Sequence, residues 1–131
     1  MNIIYINSAN KHFIKNRFLH ETLNEIKLCI IYIKIYNHLS EDEKTLMKNI
    51  MKKIFEDKLY LQKYLMKYIL ILINEIMHQN LVKEFSLFLF DNNILEFLFE
   101  PKKNFSDNLL SLYIINYLLN NNIKEIESAT N

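Results

Sequence analysis

The 131-residue chain contains no glycine. Phosphate-cradling loops, dinucleotide fingerprints, nucleophile elbows and calcium loops all need glycine at fixed places, where φ is positive or a Cβ would collide. Those function classes are close to excluded. Tight β-hairpins are penalised too, because their favoured turns use glycine at positive φ, whereas helices survive its absence better. The expectation is therefore an all-α protein, a single helical domain over residues 1–131. Half the residues are apolar and 24% are charged, so the chain has the means to fold. At this length it can bury about two thirds of its unfolded surface.

The formal net charge is +1, which sets up no whole-molecule field for nucleic acid or an acidic membrane. No nucleic-acid partner is expected. The one cysteine, Cys29 in "IKLCIIYIKI", reads as a small buried apolar side chain and fits a reducing cytoplasmic setting. The first residues, "MNIIYINSANKHF", lack a basic segment and a small-residue cleavage pattern, and read as mature protein.

Hydrophobic periodicity supplies the helices. Leu23, Ile26, Ile30, Ile33 and Tyr36 keep helical spacing over 20–37. Ser40, with Glu43 three residues on, is a capping box opening a helix to about Phe55. That helix carries Leu46, Met47, Ile50, Met51, Ile54 and Phe55 on one face. Residues 59–77 hold the longest pattern, through Leu61, Tyr64, Leu65, Tyr68, Ile69, Leu72, Ile73 and Ile76. Its uninterrupted apolar run, "YILILI", is far shorter than the roughly 20 residues of a membrane span, so no transmembrane segment is expected. Shorter helices follow at about 81–90 and 94–100, the second stopped by Pro101. Ser106 or Asp107 caps a last helix to about 120, apolar nearly all round and so expected to be buried on several sides.

Residues 50–58, "IMKKIFEDK", overlie residues 94–102, "ILEFLFEPK", at a shift of 94 − 50 = 44. The same shift carries "LMKYILILI" at 65–73 onto "LLSLYIINY" at 109–117, and backwards onto residues 21–33. A period of 44 with two or three helices per unit suits armadillo and HEAT arrays. The expected architecture is a right-handed armadillo/HEAT-like helical stack of about two and a half repeats. Its units lie at about 1–37, 40–78 and 81–121, followed by a short polar tail, 122–131. An irregular helical bundle is the alternative. A stack would set residues 50–55 beside 94–99, whereas a bundle would bury one central helix among the others.

Residues 61–119 resemble an armadillo unit: long helix, short first helix, polar turn "DNN", second helix, charged loop, long third helix. Within that family, "EPKKNFSDNLLSLYIINYLLNN" is most similar to the ciliary, LisH-domain-containing armadillo-repeat proteins of basal bodies. Where such units carry glycine between first and second helices, this chain has Asp91, Asn92 and Asn93, and Asn tolerates the left-handed conformation. The resemblance implies a non-catalytic protein–protein interaction scaffold with a ciliary or cytoskeletal setting and no cofactor. It also implies a groove lined by third helices, on which Asn74 and Asn116 would grip a peptide backbone.

Other candidates come from the residues themselves. Lys44, Lys48, Lys52, Lys53, Lys58, Lys63 and Lys67 form the one charge asymmetry, either a patch for an acidic partner or the solvated face of two helices. His12, His20, His38 and His78 show no metal-ligand spacing, and Ser86, Ser106 and Ser111 have no adjacent histidine. No enzyme is expected. The apolar last helix calls for cover from a protein partner, from self-association or from a longer array. The alternative function is a compact bundle with a groove for a partner helix.

Overall fold

The computed structural model describes the backbone of residues 3–122 and the side chains of residues 17–122. Helix α1 spans Ile3–Lys34, α2 Glu41–Glu56, α3 Lys63–His78, α4 Ser86–Leu89, α5 Asn92–Phe99 and α6 Phe105–Asn121. Single 3-10 turns at Tyr36–His38 and Leu59–Leu61 flank α2, and no strand occurs among the described residues. The fold is all-α. His12 and most of the polar tail lie outside the described side chains.

Helix ends show how a glycine-free chain turns. Ser40 accepts the Glu43 N–H at 3.2 Å while the Glu43 carboxylate accepts the Ser40 N–H at 3.0 Å, the capping box expected for α2. The Ser40 N–H, then the Ser40 hydroxyl, hold the Glu43 carboxyl below its usual pKa. At the other end of α2, Lys58 takes the left-handed conformation at φ 54°, and its N–H meets the Phe55 carbonyl at 3.2 Å. Helix α3 closes with Asn80 at φ 59°. There the Leu81 N–H bonds the Ile76 carbonyl at 2.9 Å and the Asn80 N–H bonds Met77 at 3.0 Å, the paired bonds of a Schellman end. Lysine and asparagine thus fill positions that glycine usually takes.

Several boundaries differ from the sequence reading. Helix α1 begins at Ile3, because nothing between there and residue 20 breaks a helix, and Tyr36 falls in the 3-10 turn beyond its end. The expected helix 59–77 starts only at Lys63, since left-handed Lys58 and the Leu59–Leu61 turn come first. Between 81 and 90 only Ser86–Leu89 is α-helical. The "DNN" turn holds no left-handed residue: Asp91 is extended and caps α5 by accepting the Asn93 N–H at 2.9 Å. Glu100 is extended, as a residue before proline must be, and α5 stops there. Asn104, rather than Ser106 or Asp107, caps α6 by accepting the Asp107 N–H at 3.1 Å.

The core is organised around α3. Leu65, Ile69, Leu70, Leu72, Ile73, Ile76 and Met77 are all buried and share one broad face that takes up nearly half the helix circumference. Helix α3 packs against α1 on one flank, where the Lys27 ammonium lies 5.2 Å from the Tyr68 ring centre, and against α6 on another. Helix α2 packs on α1, and α5 on α6. The helices are joined by a chain of edge-to-face rings. Tyr36 meets Phe85 at 5.6 Å, Phe88 meets Phe55 at 5.6 Å, Phe55 meets Tyr60 at 6.1 Å and Tyr60 meets Phe97 at 5.3 Å. Such pairs add about 0.5–1.5 kcal/mol each beyond the area they bury.

The exposed apolar residues supply the main corrections. Leu46, Leu61 and Tyr64, expected to face inward, are about half exposed. Helix α6 is not buried on several sides: Leu109, Leu112, Tyr113 and Leu119 are 51%, 54%, 58% and 40% exposed. It is an edge helix, with α3 and α5 on its inner side and no described element on its outer side. The shift of 44 therefore matches sequence without matching environment, since Leu65 is fully buried and Leu109 is not. Leu65→Ala should cost about 2–5 kcal/mol, and Leu109→Ala no more than about 0.5 kcal/mol. Urea unfolding of the two variants checks this; equal losses would contradict the edge position of α6.

Candidate interaction surface

Helix α6 is seated by polar contacts at its N-terminal half. The Lys102 ammonium reaches back over the C-terminus of α5, donating to the carbonyls of Phe97, Leu98 (3.2 Å) and Glu100 (2.6 Å). It also lies 4.5 Å from the Phe97 ring centre. A cation suits the negative end of the helix dipole. Partial burial pushes the Lys102 pKa down, with Glu100 and Asp107 opposing. The Lys102 N–H donates to the Asn108 side-chain oxygen at 3.1 Å, and buried Ser111 donates its hydroxyl to the Leu98 carbonyl at 2.8 Å. These bonds fix the rotation of α6, with Ser111, Ile114 and Leu118 turned inward.

The opposite side of the helix is apolar and open. Phe105, at 76% exposed, extends the stripe formed by Leu109, Leu112, Tyr113 and Leu119. Asp107 is the single charged residue on the helix. At the inner edge of this surface a groove of about 420 Å³ separates α3 from α6, lined by Asn74, Met77, His78, Asn80, Leu110, Tyr113 and Tyr117. Two amides, two phenol rings and the His78 imidazole offer hydrogen bonds there beside Met77 and Leu110, and the lining holds no lysine or carboxylate. Asn74 lies in the groove. Asn116 does not: it is exposed on the outer side of α6, 3.5 Å from the Asn120 amide.

The candidate lysines divide into two groups. Lys44 is drawn over the Tyr36 ring at 4.8 Å and lies 3.5 Å from Glu41. Lys48 is paired with Glu84 at 2.7 Å and sits over the Phe85 ring at 5.6 Å. Lys52 is exposed, 3.9 Å from Glu56. On α3, Lys63 lines a second groove of about 410 Å³ beside Phe97 and Pro101, and Lys67 is exposed. The α2 lysines thus spend much of their charge within the fold.

Sequence reasoning missed the residue that organises that charge. The Glu84 carboxylate accepts both the Lys48 ammonium and the Tyr36 hydroxyl, each at 2.7 Å, clamping the 3-10 turn after α1 and the segment before α4 to α2. Nothing in the spacing of Tyr36, Lys48 and Glu84 announces this, because the three meet only once the chain has folded. Cys29 is buried as expected, and burial, then Glu25, pushes its thiol up to about 12. It is an inert packing residue.

The chain matches no protein-family model, no curated protein and no solved structure.

The Glu84 clamp gives a pH signature. Lys48, then Tyr36, hold the Glu84 carboxyl below its ordinary 4.5. A carboxylate with a depressed folded-state pKa adds stability above the unfolded value and loses it as pH falls through the folded one. Below about pH 4.5 the wild type should therefore lose this share, and Glu84→Gln should lack that part of the decline. At neutral pH the Gln variant should be less stable by about 0.5 kcal/mol, the scale of a partly exposed ion pair. Urea midpoints at pH 7 and pH 3.5 measure both effects. An unchanged slope would show that the clamp contributes nothing.

Proposed function

We propose that the protein is a non-catalytic interaction scaffold that binds a polypeptide through α6 and the adjoining α3–α6 groove. The single observation that carries this reading is the open apolar face of α6. Five large apolar side chains lie 40–76% exposed on one helix. Scattered exposed leucines are ordinary, but a contiguous apolar face marks an interaction site. The helix is also firmly seated by Lys102 and Ser111, so the face is presented on a fixed support.

An armadillo/HEAT-like right-handed stack is the architecture we favour for this scaffold. In its support, α1, α3 and α6 end at Lys34, His78 and Asn121, steps of 78 − 34 = 44 and 121 − 78 = 43. They also contact one another in chain order, α1 to α3 to α6, as successive units of an array do. Two features favour the irregular bundle instead. Helix α3 is the one most enclosed by the others, and α2 with α5 is not among the principal packing pairs. The ciliary or cytoskeletal setting rests on the residue resemblance alone. The α3–α6 groove supports a neutral, extended peptide as one kind of ligand, with Asn74 among its hydrogen-bonding groups. As a bundle, the protein would instead use the face to receive an amphipathic helix.

Affinity capture from the source cell, with wild-type chain and the Leu112→Glu/Leu119→Glu variant as baits, tests the reading. Wild type should bind a hydrophobic dye and retain a polypeptide that the variant loses, with helical content unchanged by circular dichroism. Identical retention by both baits, or a wild-type chain that binds neither dye nor protein, would contradict it.

A further inference from the structure

Helix α6 looks apolar nearly all round because it carries two apolar stripes of different origin. The inner one, around Ser111, Ile114 and Leu118, faces the core. The outer one runs Phe105, Leu109, Leu112, Asn116, Leu119, with spacings of 4, 3, 4 and 3. That is a two-heptad a/d seam: leucine at Leu112 and Leu119 and phenylalanine at Phe105 take d, while Leu109 and Asn116 take a. Ile114 then falls at f, directly opposite. Every seam residue is exposed while the opposite stripe is buried. We infer that a second copy of this chain covers the seam, α6 lying parallel to α6 about a two-fold axis with Asn116 paired to its own counterpart. The inference rests on reading α6 as a binding surface and names the partner.

Charge selects this occupant. A partner covering the seam must bring no unpaired charge into it, because an ion buried without a counter-ion is strongly destabilising. The other exposed apolar stripe on a long helix, Leu28 and Ile31 on α1 with Ile35 just beyond its end, is interleaved with Lys27 and Lys34. Docking α6 there would desolvate two ammonium groups, and α6 offers no carboxylate beyond Asp107. A second α6 brings no charge from Asn108 to Asn121. Asn116 selects the direction. In a parallel pair, a meets a and the two Asn116 amides hydrogen-bond to each other; in an antiparallel pair each would face a d residue unsatisfied. Because the buried stripe is opposite the seam, the two domain bodies point away from each other and do not collide.

The seam is short. A 17-residue helix is about 25 Å long, and two such faces bury on the order of 1,000 Å² in total, the low end for specific interfaces. Two heptads do not hold an isolated coiled coil together, but α6 is already folded on its own core and needs no nucleation. The expected dimer dissociates on the order of micromolar.

Sedimentation equilibrium of the full chain across the micromolar range is the first arm of the test, and disulfide cross-linking of Leu109→Cys and Leu119→Cys is the second. Cys29 is buried and does not compete. A monomer–dimer equilibrium is expected, weakened roughly 30-fold or more by Leu112→Glu, the scale of an interface hot spot. Each cysteine variant should cross-link to itself. A dimer that survives Leu112→Glu, assemblies larger than a dimer, or cross-links formed only when the two cysteine variants are mixed would each overturn the parallel pair. A wild type monomeric throughout overturns it too. If that monomer still retains a polypeptide that Leu112→Glu/Leu119→Glu loses, the α6 binding surface stands and only the partner is wrong. Should Leu112→Glu fail to fold, the cross-linking arm decides, since it leaves the seam otherwise intact.

Discussion

The rest of the molecule depends on the enclosure of α3. Its seven buried side chains are each stabilised by about 1.5–3 kcal/mol through removal from water, and the surfaces that remove them belong to elements far apart in sequence. Helix α1 covers one flank and α6 another, with the Leu59–Leu61 turn packed at the N-terminal end. Each of these covering elements has few other large contacts. Helix α2 leans on α1 and α5 leans on α6, so a loss at α3 spreads outward through both pairs. The aromatic contacts from Tyr36 to Phe97 and the Glu84 clamp tie the outer elements to one another around α3.

The absence of glycine shapes this arrangement at its joints. Chain reversal after α2 and α3 still requires a left-handed residue, and Lys58 and Asn80 provide it. For an L-residue with a Cβ the conformation costs about 1–2 kcal/mol, less for asparagine. Elsewhere among the described residues the chain turns without positive φ, using Ser40, Asp91 and Asn104 as N-caps and Pro101 as a stop. Side-chain caps and one lysine thus replace backbone freedom. Lys102 is the clearest instance, since its ammonium satisfies carbonyls at the end of α5 that a glycine-closed helix would satisfy with backbone N–H groups.

Much of this was legible before folding. The capping box at Ser40, the stop at Pro101, the buried Cys29 and, from Lys63 onward, the helical pattern of 59–77 are local signals that the structure carries. Which helix would be central was not legible, because α3 and α6 have similar apolar content and only the fold decides which has neighbours on both flanks. Leu65 and Leu109 are the same residue in the same pattern with opposite fates. The surroundings of the candidate lysines were hidden for a related reason. Lys48 looks like a solvated residue on a helix face until Glu84 and Tyr36, distant in sequence, arrive beside it. Asn116, by contrast, gained a place: within the exposed stripe of α6 it is a polar interruption at a defined position.

Helix α3, the most enclosed element, should be the last to lose its structure, with α6 an edge held on by it. Native-state hydrogen exchange under mild denaturant tests this most directly. Amides of α3 from Ile69 to Met77 should exchange only through global unfolding, with the full denaturant dependence, while those near the end of α6 open at lower free energy. Exchange in α3 through a smaller opening than in α1 and α6 would contradict the account.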